Sequence, residues 1–325
     1  MKIFVTGATG FIGSKIVTRL AQTDHNIVCL VRATSHMEPL KKLGVNLVIG
    51  DVTNKTSVVG GMKGCDSVVN LANVYSFWEP NKQIYTNVNV DGTRNVMQSA
   101  IETSVGKVVH VSTYGVYGNP SDCPFTEESK VGSYRTCEYT RIKYAGDLIA
   151  WKLYEEQGLP LVVVYPCNVL GVGDTKATGQ YIRDTILRRL PATAFEDTVF
   201  TFVHVNDVVE AIVSALEKKD NIGQKYIIGK YHLSIRELNQ MIKGISDVSL
   251  PKIKLPGILA TIAAAFLTRV ADLKKNPPPW GMCSDQVRSM KESVVADGSK
   301  AEKELGITYT PIRTALEEVI ASHQK

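Results

Sequence analysis

The sequence predicts an α/β fold: a doubly wound parallel sheet with a smaller, mostly helical C-terminal lobe. Three observations predict it. Short, wholly apolar runs of the buried-strand type recur through the first half of the chain. Segments of helical pattern alternate with them. The first strand and the first helix are joined by a turn with glycine at every third position, Gly7-x-x-Gly10-x-x-Gly13.

In chain order the expected strands are Ile3–Val5, Ile27–Val31, Asn46–Ile49, Ser67–Asn70, Val108–Ser112 and Leu161–Tyr165. The helices between them are expected at Ser14–Gln22, Met37–Leu43, Lys55–Met62, Thr86–Glu102 and Tyr139–Gln157. A later helix at Asn206–Lys218 and a strand at Lys225–Ile228 extend the series. Residues 1–166 and 199–228 are thereby assigned to a Rossmann-type domain. After Pro166 the alternation loosens, and Pro251, Pro256 and Pro277-Pro278-Pro279 punctuate the remainder. Residues 167–198 and 229–325 are expected to form a substrate-binding lobe over the strand C-termini.

The chain has 325 residues, 44% of them hydrophobic and 21% charged, enough for a large core in one or two domains. The net charge of +5 is not gathered into runs, so nucleic-acid binding is not expected. Six scattered cysteines form no C-x-x-C pair, which argues against structural zinc and for reduced thiols in the cytoplasm. The first strand occupies the first residues, so no cleaved leader is expected. The most apolar stretch, Leu255 to Leu267, is too short to span a bilayer. It could wall a pocket, touch a membrane surface or fill the core of the lobe.

Strand, glycine turn and helix together present helix N-terminal N–H groups to a pyrophosphate. Gly7 suits the tight turn, Gly10 lets backbone approach phosphate oxygens, and Gly13 lets the helix pack close to the strand. Thr9, Phe11 and Ile12 complete the turn, and a dinucleotide cofactor is expected there. Sites for NAD usually place Asp or Glu at the end of the second strand. Here Val31 takes that place and Arg32 follows. A guanidinium can pair with a 2′-phosphate that a carboxylate would repel, so NADP(H) is favoured over NAD(H). The bland alternative is a solvated arginine after a strand. Thr34 and Ser35 could add hydroxyl donors. Asp51 could meet the adenine edge or serve only as a turn residue.

Tyr139 and Lys143 lie four apart on an expected helix and share its face. An ammonium there favours the charged form of a neighbouring phenol, making Tyr139 an acid or base usable near neutral pH. Tyr226 and Lys230 have the same spacing but fall on a strand and its exit, about 13 Å apart, and cannot cooperate. Thr113 ends the strand Val108–Ser112, where ligands of α/β folds bind, and can donate to the same substrate oxygen. His110 is assigned to the core. The aromatic segment Val74-Tyr75-Ser76-Phe77-Trp78 follows the fourth strand. Val74, Phe77 and Trp78 are expected to contact an apolar or aromatic substrate, with loop packing as the alternative.

Thr6–Gly13, Ser112-Thr113 before Val116-Tyr117-Gly118, and Tyr139-x-x-x-Lys143 together resemble the extended short-chain dehydrogenase/reductase family. Asn70-Leu71-Ala72, Asn89 to Val96 and Phe202 to Val208 agree with it. Val31-Arg32-Ala33-Thr34-Ser35, Glu138 to Lys143, Gly171-Val172-Gly173-Asp174 and Ala301 to Gly306 resemble its dihydroflavonol-reductase-like branch. That branch includes plant-type farnesol dehydrogenases and hopanoid-associated epimerase-like proteins. Three departures stand out: Tyr165-Pro166 where Arg-Pro is usual, Ile142 where Ser precedes the lysine, and Thr113 where many members have Ser.

The resemblance implies hydride transfer between a nicotinamide and a carbonyl or carbinol carbon. It implies that Tyr139 exchanges a proton with the alkoxide, that Lys143 holds the ribose, that Thr113 orients the substrate oxygen and that Asn89 supports a water relay. It also implies cofactor contacts from Val52, Leu71, Ala72, Pro166 and Val169, and substrate contacts from Tyr114 and Asn168. The expected activity is an NADPH-dependent reductase of a hydrophobic ketone, aldehyde or alcohol. A nucleotide-sugar epimerase or dehydratase with bound NAD, and a non-catalytic NADP(H) sensor, are the alternatives. A homodimer through the helices Thr86–Glu102 and Tyr139–Gln157 is a further implication.

Overall fold

The computed structural model describes residues 1–324. Among the described residues there are ten strands: β1 Lys2–Thr6, β2 Asn26–Val31, β3 Asn46–Ile49, β4 Ser67–Asn70, β5 Lys107–Val111, β6 Leu161–Pro166, β7 Asn168–Leu170, β8 Val199–His204, β9 Lys225–Ile228 and β10 Tyr231–Ser234. Seven of them form one wholly parallel sheet in the order β3-β2-β1-β4-β5-β6-β9. Helices cover both faces, as a parallel sheet requires. Ile3 and Val5 of β1 join a cluster with the helices Phe11–Leu20 and Val205–Glu217. Phe4 joins the opposite cluster, with the helices Lys55–Met62, Thr93–Glu102 and Glu138–Gln157. One strand thus supplies two cores through its period of two.

β1 lies between β2 and β4, so the chain winds outward in both directions from it. The crevice outside the C-terminal ends at such a reversal is where open α/β sheets take ligands. A second, three-stranded sheet stands beside it in the order β10-β8-β7. β8 is parallel to β7 and antiparallel to β10. The mostly helical lobe thus also carries a small sheet, in which residues 199–204, grouped in sequence with the Rossmann half, pair with two strands grouped with the lobe. The strands are short, and only Cys167 separates β6 from β7, so no turn signal marks the passage between sheets.

The helix expected at Thr86–Glu102 starts at Gln83 and is π-helical from Thr86 to Gly92 before becoming α-helical over Thr93–Glu102. Single π-turns of this kind are frequent beside functional sites. The helix Glu138–Gln157 closes with Gly158 in the left-handed region.

Candidate active site

A cleft of about 760 Å³ runs along the C-terminal ends of β1, β2, β4, β5 and β6 and ends against the lobe. Gly7, Thr9, Gly10, Phe11, Ile12, Gly13, Arg32, Asp51, Val52, Leu71, Ala72, Pro166 and Val169, all expected to contact a cofactor, line it. Val74, Phe77, Thr113, Tyr114, Asn168 and Tyr139 line its lobe end.

The glycine turn is built from backbone against backbone. Gly7 has φ +71°, and a Cβ there would stand 2.7 Å from the amide nitrogen of Ala72. The helix begins at Phe11, three residues earlier than expected, so Gly13 lies within its first turn. A Cβ on Gly13 would stand 2.1 Å from the Gly7 carbonyl oxygen. No side chain caps this helix and its first turn has no acidic residue, which leaves its leading N–H groups to an anion. Beneath the turn, the Thr6 hydroxyl donates to Asn70 Oδ1 at 2.6 Å and accepts from the Ala72 N–H at 3.2 Å. Asn70 continues to His110 Nδ1 at 3.0 Å, and His110 Nε2 lies 3.5 Å from Asp147 Oδ1. His110 is buried in this chain, as assigned, and burial lowers its pKa.

Arg32 is exposed at the cleft wall, immediately after β2, and has no carboxylate partner among the described residues. Asp51 Oδ1 accepts from both the backbone N–H and the hydroxyl of Thr53, at 2.8 Å each. That is the turn role; the carboxylate still borders the cleft. Ser35 lines the cleft beside Arg32.

Tyr139 and Lys143 are both buried, one turn apart on the helix Glu138–Gln157. Their electrostatics differ from expectation. Burial holds the Tyr139 phenol well above its usual range, with Cys137 and Asp147 acting in the same direction. Lys143 Nζ donates to the Val111 carbonyl at 3.1 Å. Burial lowers the lysine to about 8, against an opposing pull from Asp147. The expected depression of the phenol by Lys143 is not found: burial, Cys137 and Asp147 all act upward. Thr113 Oγ1 accepts from Gly115 N at 3.3 Å, capping the short turn Tyr114–Tyr117 while facing the cleft.

Two expectations change. Asn89 Oδ1 accepts from Val74 N at 2.7 Å and its Nδ2 donates to Val74 O at 3.1 Å. The side chain is committed to clamping the aromatic segment rather than feeding a relay. Trp78 turns away from the cleft: its ring packs on Ala271 and Cys283, and its Nε1 donates to Asp272 at 2.8 Å. It is loop packing. Its neighbours face the other way, with the Phe77 ring 6.2 Å from that of Tyr139. Tyr75 was not singled out, yet its ring centroid is 5.0 Å from that of Tyr139, edge to face. Its place in the same aromatic run was the available signal.

The lobe adds residues that the sequence did not offer, among them Tyr181, Phe200, Phe202, Leu238 and Val294. Asp174 also borders the cleft; its carboxylate accepts from the N–H groups of Lys176 and Gly179, and burial raises it to about 6. Tyr165 and Ile142, where the sequence departs from the family pattern, are both buried. Tyr226 is buried with its hydroxyl donating to Glu304, while Lys230 pairs with Glu302, so the second Tyr-x-x-x-Lys forms no site.

A profile described as the NAD dependent epimerase/dehydratase family matches residues 3–229. A putative dihydroflavonol 4-reductase of Synechocystis sp. is 28% identical, over 98% of this chain and 93% of its own length. Sterol demethylase protein B of Methylococcus capsulatus is 27% identical, over 99% of this chain and 98% of its own. The crystal structure of gox2253 superposes with a TM-score of 0.84 at 31% identity, covering 99% of this chain and 97% of that one. A UDP-glucuronic acid 4-epimerase from Bacillus cereus, solved with NAD, shares the fold with a TM-score of 0.79 at 22% identity, covering 100% of this chain and 99% of that one. With the profile matched from β1 to just past β9, the chain belongs to the NAD-dependent epimerase/dehydratase family, among the extended short-chain dehydrogenases/reductases.

Proposed function

We propose that this protein is an NADPH-dependent oxidoreductase acting on a hydrophobic ketone, aldehyde or alcohol. The observation that carries the reading is Arg32: a cation at the end of β2, facing the cleft, where NAD sites place a carboxylate. The cradle fits a dinucleotide, because the three glycines stand where any Cβ would meet backbone. Gly7, Gly10 and the first turn of the following helix would hold the pyrophosphate, and Arg32 with Ser35 the 2′-phosphate. When bound, the cofactor supplies or accepts hydride.

The remaining chemistry belongs to the protein. Tyr139 Oη, kept protonated by burial, delivers its proton to the substrate oxygen in the reductive direction. Thr113 Oγ1 orients that oxygen. Lys143 Nζ holds a positive charge one helical turn away and would grip the ribose. Tyr75, Phe77, Phe202, Leu238 and Val294 exclude water and present an apolar wall. Relatives named as reductases or dehydrogenases support the reading, including cinnamoyl-CoA reductase 1 of Oryza sativa, 26% identical over 99% of this chain and 90% of its own length. The free cysteines support a reducing, cytoplasmic setting. A homodimer through the helices that include Thr93–Glu102 and Glu138–Gln157 is part of the proposal; only monomer in micromolar sedimentation runs would remove it.

The test is calorimetric titration with NADPH and NADH, followed by turnover on apolar ketones, aldehydes and prenyl alcohols. NADPH should bind the wild type more tightly. Arg32→Ala should weaken NADPH by roughly tenfold to a hundredfold, the worth of a charge-assisted contact, and leave NADH unchanged. Equal losses for both would remove the 2′-phosphate role. NAD(H) that co-purifies and will not exchange would move the assignment to an epimerase or dehydratase.

A further inference from the structure

The helix Gly257–Lys274 is inverted relative to an ordinary surface helix. Its buried residues are the small ones, Ala260, Ala264 and Ala271. Its large apolar side chains point outward: Ile258 is 77% exposed, Ile262 61%, Phe266 66% and Leu273 84%. Spacings of four and seven put these four on one face. The helix is not loosely attached. Asp272 accepts from Trp78 Nε1, and Thr268 Oγ1 accepts from Ser284 N at 2.8 Å. The apolar face is therefore held outward by packing, and such patches mark interaction surfaces.

Charge indicates what covers it. Lys252 precedes the helix, Arg269 and Lys274 lie on its last turns and Lys275 follows it. None of the four pairs with a carboxylate among the described residues, whereas the fifth cation, Lys254, pairs with Glu196. Asp272, the one carboxylate between residues 251 and 281, is engaged by Trp78. A second copy docked face to face would bring cation against cation. A layer of anionic headgroups meets both features, taking the apolar side chains below and the cations at its surface. With Arg269, Asp272 and Lys274 within its length, the helix cannot cross a bilayer, and no helix among the described residues is long and apolar enough to do so. We propose that the outer face of the Gly257–Lys274 helix lies in the interface of an anionic lipid bilayer.

The position of this face adds a consequence. A side cavity of about 310 Å³ runs from Lys275 and Pro277, at the end of the helix, to Phe77 and Tyr75. Those two rings also line the main cleft. Docking would therefore bring the Lys275 end of this cavity close to the lipid. That consequence rests on the apolar-substrate reading above, whereas membrane docking itself does not.

Co-sedimentation tests docking without any turnover. The full chain is mixed with vesicles of phosphatidylglycerol and phosphatidylcholine, or of phosphatidylcholine alone. The wild type should pellet with the anionic vesicles, and less in about 0.5 M than in about 0.1 M salt, where the attraction is less screened. Ile262→Glu with Phe266→Glu should reduce pelleting at least tenfold with an unchanged circular dichroism spectrum. Should that variant fail to fold, Lys274→Glu with Lys275→Glu should lose the anionic preference. Failure of the wild type to pellet, or unchanged pelleting of the folded variants, overturns the proposal. So does a change of oligomeric state on Ile262→Glu with Phe266→Glu, which would assign the face to a second copy.

Discussion

The two ends of the cleft are built by different means. At the glycine turn, contacts run from backbone to backbone within Gly7–Gly13 and on to Leu71 and Ala72, and clearances are so small that only hydrogen fits at Gly7 and Gly13. At the lobe end the wall is made of side chains from many separate segments, among them Tyr75 and Phe77 after β4, Tyr114 after β5, Asn168 on β7, Phe202 on β8 and Leu238 beyond β10. The first end leaves no room for a side chain at Gly7 or Gly13. The second can be recomposed residue by residue, which lets one fold serve many substrates.

Tyr139 stands between the two ends, and its loss should have the largest effect. Tyr139→Phe should lower kcat by roughly 10²–10⁴-fold, the usual worth of a positioned general acid, while NADPH titration stays near wild type. Retained turnover would remove the phenol from the mechanism. Gly13→Ala probes the rigid end. Its Cβ meets a carbonyl 2.1 Å away, so overpacking should cost about 1–3 kcal/mol or more and abolish tight cofactor binding. Thermal melts with and without NADPH would show it, and a variant that still binds would mean that the turn is not the cradle.

Asn89→Ala probes the adaptable end. It removes two hydrogen bonds to Val74, each worth about 1 kcal/mol. KM should rise several-fold with kcat nearly intact, because the loop carrying Tyr75 and Phe77 is loosened. A fall in kcat at unchanged KM would restore the relay role instead.

The smallest effect concerns Lys143. Burial lowers its folded-state pKa to about 8, below its ordinary value of 10.5. Between those values the unfolded chain binds the extra proton, so this group makes stability rise with pH across that window. Below about 8 the buried ammonium is a standing cost. Denaturant midpoints at pH 7.5 and 9.5 should show this rise in the wild type relative to Lys143→Met. Parallel curves would mean that the ammonium is not desolvated.

Legibility followed the same division. The turn, the parallel strands and the helix bearing Tyr139 and Lys143 were open to inspection because each is local: a period of two, a spacing of four, or glycines three apart. β3, β4 and β9 begin and end where the apolar runs do. The lobe was not open in this way. β7, β8 and β10 total only 13 residues and gain their meaning from pairing across long sequence separations. Trp78 and Asn89 show the limit most clearly. Both sit in segments correctly placed beside the site, yet their side chains serve the scaffold, one through Asp272 and the other through Val74.

By itself the sequence determined the class of fold, the glycine turn and the spacing that puts Tyr139 and Lys143 one helical turn apart, since these depend on periodicity and on the absence of Cβ atoms. Only the tertiary structure decided which way each aromatic ring faces and that the phenol is held protonated by burial. It also decided that Ile258, Leu259, Ile262 and Phe266, the large exposed side chains of the stretch Leu255–Leu267, neither fill the lobe core nor wall the main cleft. Direction and desolvation are set by what packs against a residue, and those neighbours can lie 194 positions away in the chain, as Asp272 does from Trp78.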